Sequence, residues 1–222
     1  LGFTNSTSRF FGEKESTGGF ELGWIFDRMR VYDDSIDSTG ESGIRGRAEL
    51  TGYFVGRERF SSLDSRLDIR IPSPFRRHFF RLGANYGATN NENLSAKYYL
   101  GGGEDTIADQ TDFLLRGYPQ GTVYGRRILT SNFEYVFTVL DVFRGFGTFP
   151  AYFDASRIKL FFDVGSAEYV GPDERGFHRF PNAVGAHVLS DFNFLYRVPV
   201  TIAVGFDYGL AKDLGGEGRV VF

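Results

Sequence analysis

The segment Arg157-Ile158-Lys159-Leu160-Phe161-Phe162-Asp163-Val164-Gly165 decides how the rest of the chain is read. Side chains point to opposite faces at successive positions of a strand. Ile158, Leu160, Phe162 and Val164 therefore share one face, and Arg157, Lys159, Phe161, Asp163 and Gly165 the other. A second segment repeats the pattern. In Arg127 to Phe137, Leu129, Phe133, Tyr135 and Phe137 line one face with Ser131 as the exception, while Thr130, Asn132 and Glu134 line the other with Ile128 and Val136.

Outward from these two, the same alternation marks Phe20 to Val31, Gly43 to Val55, Phe60 to Ile71, Phe79 to Ala88, Asn182 to Phe192, Val200 to Leu210 and Gly216 to Phe222, with a weaker candidate at Leu1 to Phe11. This predicts about ten strands of roughly ten residues, the length of a tilted bilayer strand and well above the usual soluble one. No amphipathic helix and no linker stand out, so residues 1–222 read as one β domain. Short turns at Pro72-Ser73-Pro74 and Tyr196 to Pro199 alternate with long polar stretches at Asp33 to Ser42, Asn90 to Arg126 and Glu168 to Pro181. Outer-membrane barrels alternate in this way.

The composition narrows the class. Aromatics make up 17% of 222 residues, Gly is abundant and Cys absent, and the formal net charge is −3. So small a charge gives no footprint for nucleic acid. The lack of cysteine excludes disulfides and thiolate metal sites and suits an oxidising compartment. No uncharged apolar run approaches the roughly 18 residues of a spanning helix. The first residues are no signal peptide, so the sequence reads as a mature chain or a piece of a longer one. Two architectures fit: a soluble β-sandwich with its charged faces in water, or a membrane barrel with its apolar faces toward lipid. Arg45, Arg47 and Glu49 share a face, as do Asp64, Arg66, Asp68 and Arg70. In the barrel these would form a wet wall whose mixed signs pair.

The long central stretch carries Leu115-Arg116-Gly117-Tyr118-Pro119. Together with Asn132-Phe133-Glu134-Tyr135 and Phe161-x-Asp163-x-Gly165, in that order, it resembles the C-terminal barrel portion of the BamA/TamA-like outer-membrane insertase superfamily (the bacterial surface antigen type), which includes two-partner secretion transporters. The likeness covers about Arg77 to Phe222. It implies a transmembrane antiparallel β-barrel, or the C-terminal part of one, in the bacterial outer membrane, with a loop at about residues 95–126 inserted into the lumen. It further implies assembly or insertion of outer-membrane proteins, or polypeptide translocation. Expected partners are outer-membrane lipid, client outer-membrane proteins, periplasmic or lipoprotein partners, and further copies in an oligomer. No covalent chemistry and no cofactor are implied. Val220 and Phe222 resemble the closing strand and terminal recognition signal of such proteins.

The chemistry gives the motif a reason. An arginine brought inside a barrel needs an anionic partner. Asp163 is expected to face it, shared with Glu134, and Phe161 to stack on the guanidinium. Gly117 permits a sharp turn, Tyr118 and Pro119 stiffen the tip, and Gly165 leaves room for the loop at the wall. The family barrel has about sixteen strands against about ten here, and its client-capturing periplasmic domains have no counterpart in this sequence. A chain without them is expected to serve as a passive pore, an oligomeric lipid-contacting barrel or a membrane anchor.

Other constellations are weaker. Asp33, Ser35, Asp37, Thr39 and Glu41 alternate oxygen ligands but lack the glycine and final bidentate Glu of a calcium loop. His78, His178 and His187 show no metal spacing. Arg76-Arg77-His78 suits anionic headgroups or plain water. Neither a phosphate loop nor a Gly-x-Ser-x-Gly elbow occurs.

Overall fold

The structure, a computed structural model, describes residues 2–10, 13–31, 41–55, 58–75, 77–90, 98–102, 113–146, 149–168, 177, 179–195 and 198–221. Its strands are β1 Gly2–Phe10, β2 Glu13–Asp27, β3 Arg30–Val31, β4 Glu41–Val55, β5 Glu58–Pro72, β6 His78–Thr89, β7 Tyr98–Leu100, β8 Val123–Gly125, β9 Arg127–Phe146, β10 Phe149–Glu168, β11 Asn182–Phe194, β12 Val198–Gly209 and β13 Gly218–Val221. The described residues contain no α-helix, and no helix long and apolar enough to cross a membrane. Ten strands form one antiparallel sheet in the order β1-β2-β4-β5-β6-β9-β10-β11-β12-β13, with β3 attached to β4. β7 and β8 form a separate ribbon inside the long loop. The sheet is open: among the described residues β1 and β13 do not pair.

Register turns the sequence alternation into two continuous faces. On one, Ile71 lies beside Phe80, then Tyr135, Leu160, Ala186, Phe206 and Val220. The neighbouring row runs Leu82, Phe133, Phe162 and Val184. These side chains are largely exposed, as is Trp24 on β2 at 62%. No second sheet covers them among the described residues, which removes the sandwich arrangement. The band runs unbroken over seven strands, and large contiguous apolar patches mark surfaces of protein or membrane contact.

The other face, called inner here because it carries the long loop, is polar. Arg157, Lys159, Asp163, Glu134, His187 and Asp207 are all buried on it. The small apolar core lies between loop and inner face and comprises Tyr98, Leu100, Phe113, Leu115, Tyr118, Ile128, Ala167 and Ala183. The usual arrangement is thus inverted, with charge inside and hydrocarbon outside.

Two expectations need correction. β9 and β10 each span 20 residues, about twice the predicted length. Their ladder is irregular near Val139 and Asp154: Arg157 pairs with Thr138 and Ser156 with Leu140, while Phe153 pairs with Phe192 and Ala155 with Asp191. Each slip reverses which parity faces outward, so the alternation loses phase there and the strand seems to stop. The alternation of turn lengths also holds only from β5 onward. From there the long connections 90–126 and 169–181 lie at one end, and the short ones 73–77, 147–148 and 195–197 at the other. The connection at 28–40 falls at the short-turn end, and the brief links at 11–12 and 56–57 at the long-loop end.

Candidate functional site

The described parts of the loop, residues 98–102 and 113–126, lie along the inner face. Tyr98 packs edge-on against Phe113 at 5.3 Å. Both rings sit over Gly87, where a Cβ would come within 2.8 Å of either. Burial, then the nearby Asp64 carboxylate, holds the Tyr98 hydroxyl well above its ordinary pKa, so it remains protonated. Leu100 follows and fills the space over Gly165, where a Cβ would approach its Cδ2 to 2.7 Å.

At the tip, Arg116 meets two carboxylates. Its Nε donates to Asp163 Oδ2 and its Nη2 to Asp163 Oδ1, each at 2.7 Å. Nη2 also lies 3.0 Å from Glu134 Oε1. The guanidinium sits 3.6 Å over the Phe161 ring. The three charged side chains are almost fully buried. A planar fork can satisfy both oxygens of one carboxylate and still reach a second, which an ammonium cannot do. Asp163 and Phe161 lie two apart on β10, hence on one face, and Glu134 is the direct register partner of Phe161. Strand geometry therefore places all three partners around a single point.

The ladder of charge continues. Arg81 Nη1 lies 3.5 Å from Glu134 Oε2, and its Nε donates to Asp68 Oδ1 at 3.0 Å. Arg70 reaches Asp68 at 3.7 Å. Three arginines thus alternate with three carboxylates from the loop tip across β10, β9, β6 and β5.

Past Arg116 the chain turns through Gly117 at φ 76°. A Cβ there would sit 2.5 Å from the Gly209 backbone nitrogen, so both conformation and space demand glycine. Tyr118 is fully buried. Its hydroxyl donates to the Asn182 carbonyl at 2.7 Å and accepts from the Ala211 amide at 2.9 Å. Pro119 is exposed, and a Cβ added at Gly215 would lie 3.7 Å from its Cδ. No protein-family model matches this chain, nor does any curated protein or solved structure.

Of the residues singled out from sequence, Arg116, Glu134, Phe161 and Asp163 come together at one point. Gly117, Tyr118 and Gly165 hold the loop beside it, with Pro119 at the rim. Val220 stands apart, on the outer face and 60% exposed. Phe222 and His178 lie outside the described residues, as do Asp33, Ser35, Asp37 and Thr39; no group of metal-ligating side chains occurs among those described.

Sequence reasoning missed the loop's second anchorage. The connection between β12 and β13 and β13 itself grip it: the Glu217 amide donates to the Gly117 carbonyl at 3.1 Å, and Arg219 Nη1 donates to the Tyr118 carbonyl at 3.2 Å. His187 and Asp207 were also missed. They form a 2.6 Å hydrogen bond, each 1% exposed, and the His187 ring packs edge-on against Phe161 at 5.2 Å. The available signal was parity, since His187 and Asp207 fall on the same inner face as Asp163.

Proposed function

We propose that this chain is an outer-membrane β-barrel, or the C-terminal part of one, of the insertase and translocase superfamily. In this reading its sheet forms wall around a wet lumen, the loop is a lumen plug pinned by Arg116, and the protein aids insertion of outer-membrane proteins or passage of polypeptide. The observation that carries the proposal is the inversion of the sheet. One face is an uncovered apolar band, and the other holds a buried Arg116–Asp163–Glu134 cluster beneath a loop. Lipid solvates the first and a water-filled interior tolerates the second.

The closing region supports a wall that can part. β13 pairs with β12 only over Gly205 to Tyr208, and Val198 to Val204 have no further ladder partner among the described residues. At roughly 1 kcal/mol net per hydrogen bond in water, so short a ladder is weak.

The test is reconstitution into phospholipid vesicles, followed by addition of a urea-unfolded outer-membrane barrel protein as client. Folding of the client is read from its heat-sensitive gel mobility. Vesicles carrying this chain are expected to shorten the client's folding half-time relative to empty vesicles. An inserted chain that leaves the half-time unchanged reduces the protein to a passive barrel or anchor. A chain that stays soluble without detergent removes the membrane reading altogether.

A further inference from the structure

The short-turn end of the wall has a step in it. β6 begins at His78, opposite Phe137 of β9. β9 itself runs on to Phe146, where β10 pairs with it. On the far side of the same hairpin β11 keeps pace, with Phe194 opposite Ala151. From Thr138 to Phe146, therefore, β9 has a neighbour on the β10 side and none on the β6 side among the described residues. In a barrel, a strand tilt of about 40° staggers neighbouring ends by roughly one residue, so tilt leaves most of this overhang unexplained.

The bare edge is apolar. Val139 and Leu140 are adjacent in sequence yet 52% and 54% exposed, so neither side of the strand is covered there, and Val142 is exposed as well. Native proteins often guard such an edge with lysine or proline. Neither occurs between residues 138 and 146, and the two charges in that stretch, Asp141 and Arg144, are opposite in sign. A cluster of rings formed by Phe75, His78, Phe80, Tyr135 and Phe137 stands immediately before the overhang. In the membrane reading above, such a belt marks the boundary of the hydrocarbon layer, and the overhang stands in water beyond it.

We infer that the β6-side edge of β9, from Thr138 to Phe146, is a docking site for an extended segment of another protein, added as one more strand. A row of main-chain N–H and C=O groups is matched in full by a second extended chain. Exposed aliphatic side chains favour a partner that sets apolar residues opposite them. The overhang is about 30 Å long, room for a strand of ordinary length. A second copy of this chain does not fit. Copies inserted alike in one bilayer are related by an axis along its normal, and a half-turn about that axis cannot set two strands that cross the bilayer antiparallel. That exclusion rests on the membrane reading; the edge itself does not, and three further strands separate β9 from the short closing strand β13.

The test uses the full chain in a zwitterionic detergent and a fluorescent peptide of alternating valine and threonine. Affinity is read from anisotropy and the site from hydrogen exchange. Saturable binding is expected, with exchange slowed at amides between Thr138 and Phe146. The same peptide N-methylated throughout cannot add as a strand and should bind roughly tenfold more weakly. Val142→Lys should weaken binding of the unmethylated peptide several-fold while leaving the urea midpoint of the chain unchanged, since the position is exposed. Absent binding, equal binding by the N-methylated peptide, equal binding by Val142→Lys, or slowed exchange only elsewhere in the chain overturns the inference. So does protection of every amide from Thr138 to Phe146 before peptide is added. If that protection grows with protein concentration, the occupant is a second copy; if it does not, the chain covers its own edge. None of these outcomes bears on the client-folding assay, so the two proposals fall separately.

Discussion

Replacing Arg116 by alanine removes the positive member of a buried cluster and leaves its acids in place. Asp163 loses two 2.7 Å hydrogen bonds, and among the described residues Glu134 keeps the Arg81 ion pair at 3.5 Å. Breaking a buried pair in this way costs about 3–5 kcal/mol, because the surviving charge is stranded away from water. The Phe161 contact adds to the loss within that range rather than on top of it, since both report the same guanidinium. The lower bound already exceeds a hundredfold change in the folding equilibrium, at about 1.4 kcal/mol per factor of ten. The matched control is Arg127→Ala. Arg127 sits 3.3 Å from Glu168, but its side chain is 57% exposed, and such pairs contribute only about 0–1 kcal/mol. The assay is the urea midpoint of the detergent-folded chain, read as loss of the fast-migrating unheated band. Arg116→Ala should lower the midpoint far more than Arg127→Ala, and Arg116→Lys should recover only part of the difference, because a point charge cannot serve both Asp163 oxygens and Glu134 together. Equal midpoints for Arg116→Ala and Arg127→Ala would refute the reasoning.

Further substitutions separate the remaining contributions. Asp163→Lys should be markedly worse than Asp163→Asn in the same urea assay, since it sets like charges face to face; equal effects would mean that Arg116 and Asp163 never meet. Gly117→Ala and Gly121→Ala start from similar left-handed conformations, φ 76° and 72°, but the nearest atom to an added Cβ is 2.5 Å away at the first and 3.6 Å at the second. Gly121→Ala should therefore cost about 1–2 kcal/mol of backbone strain and Gly117→Ala clearly more. Tyr118→Phe strands the Ala211 amide, while the Asn182 carbonyl keeps the Leu210 amide, costing roughly 1–3 kcal/mol, and should speed hydrogen exchange at Ala211. Phe162→Lys, on the outer face, should cost about 2–4 kcal/mol if that face meets the bilayer midplane; an effect within about 0.5 kcal/mol would place it in water.

Much of the sheet could be read from the chain because period-two alternation is a local property. Ile158, Leu160, Phe162 and Val164 announce their face without knowledge of any neighbour, and the structure sets them outward. The reading failed at Val139 and Asp154, where irregular pairing shifts the phase. A bulge is a relation between two strands and leaves no mark in one. The loop tip was partly legible for a similar reason: parity alone put Glu134, Phe161 and Asp163 on one face, so an arginine seeking anions had few places to go. Nothing near residue 116 could have named Arg219 or Glu217 as its second support, because that contact depends on how the five strands between them, β8 to β12, are ordered. The pairing of Arg47 on β4 with Arg66 on β5 was equally hidden, because register is a property of two strands together.

The two grips on the loop differ in how far along the chain their partners lie. Arg116 reaches Asp163, 47 positions later, whereas the Tyr118 hydroxyl reaches Ala211 after 93 and its carbonyl reaches Arg219 after 101. Contacts between remote positions close more slowly than near ones. A chain emerging from its N-terminal side therefore passes through a stage at which the arginine clasp can form while the tyrosine clasp has nothing to hold. Full seating of the loop waits for the β12–β13 hairpin, which makes the seated loop an internal record that the sheet has been assembled as far as β13.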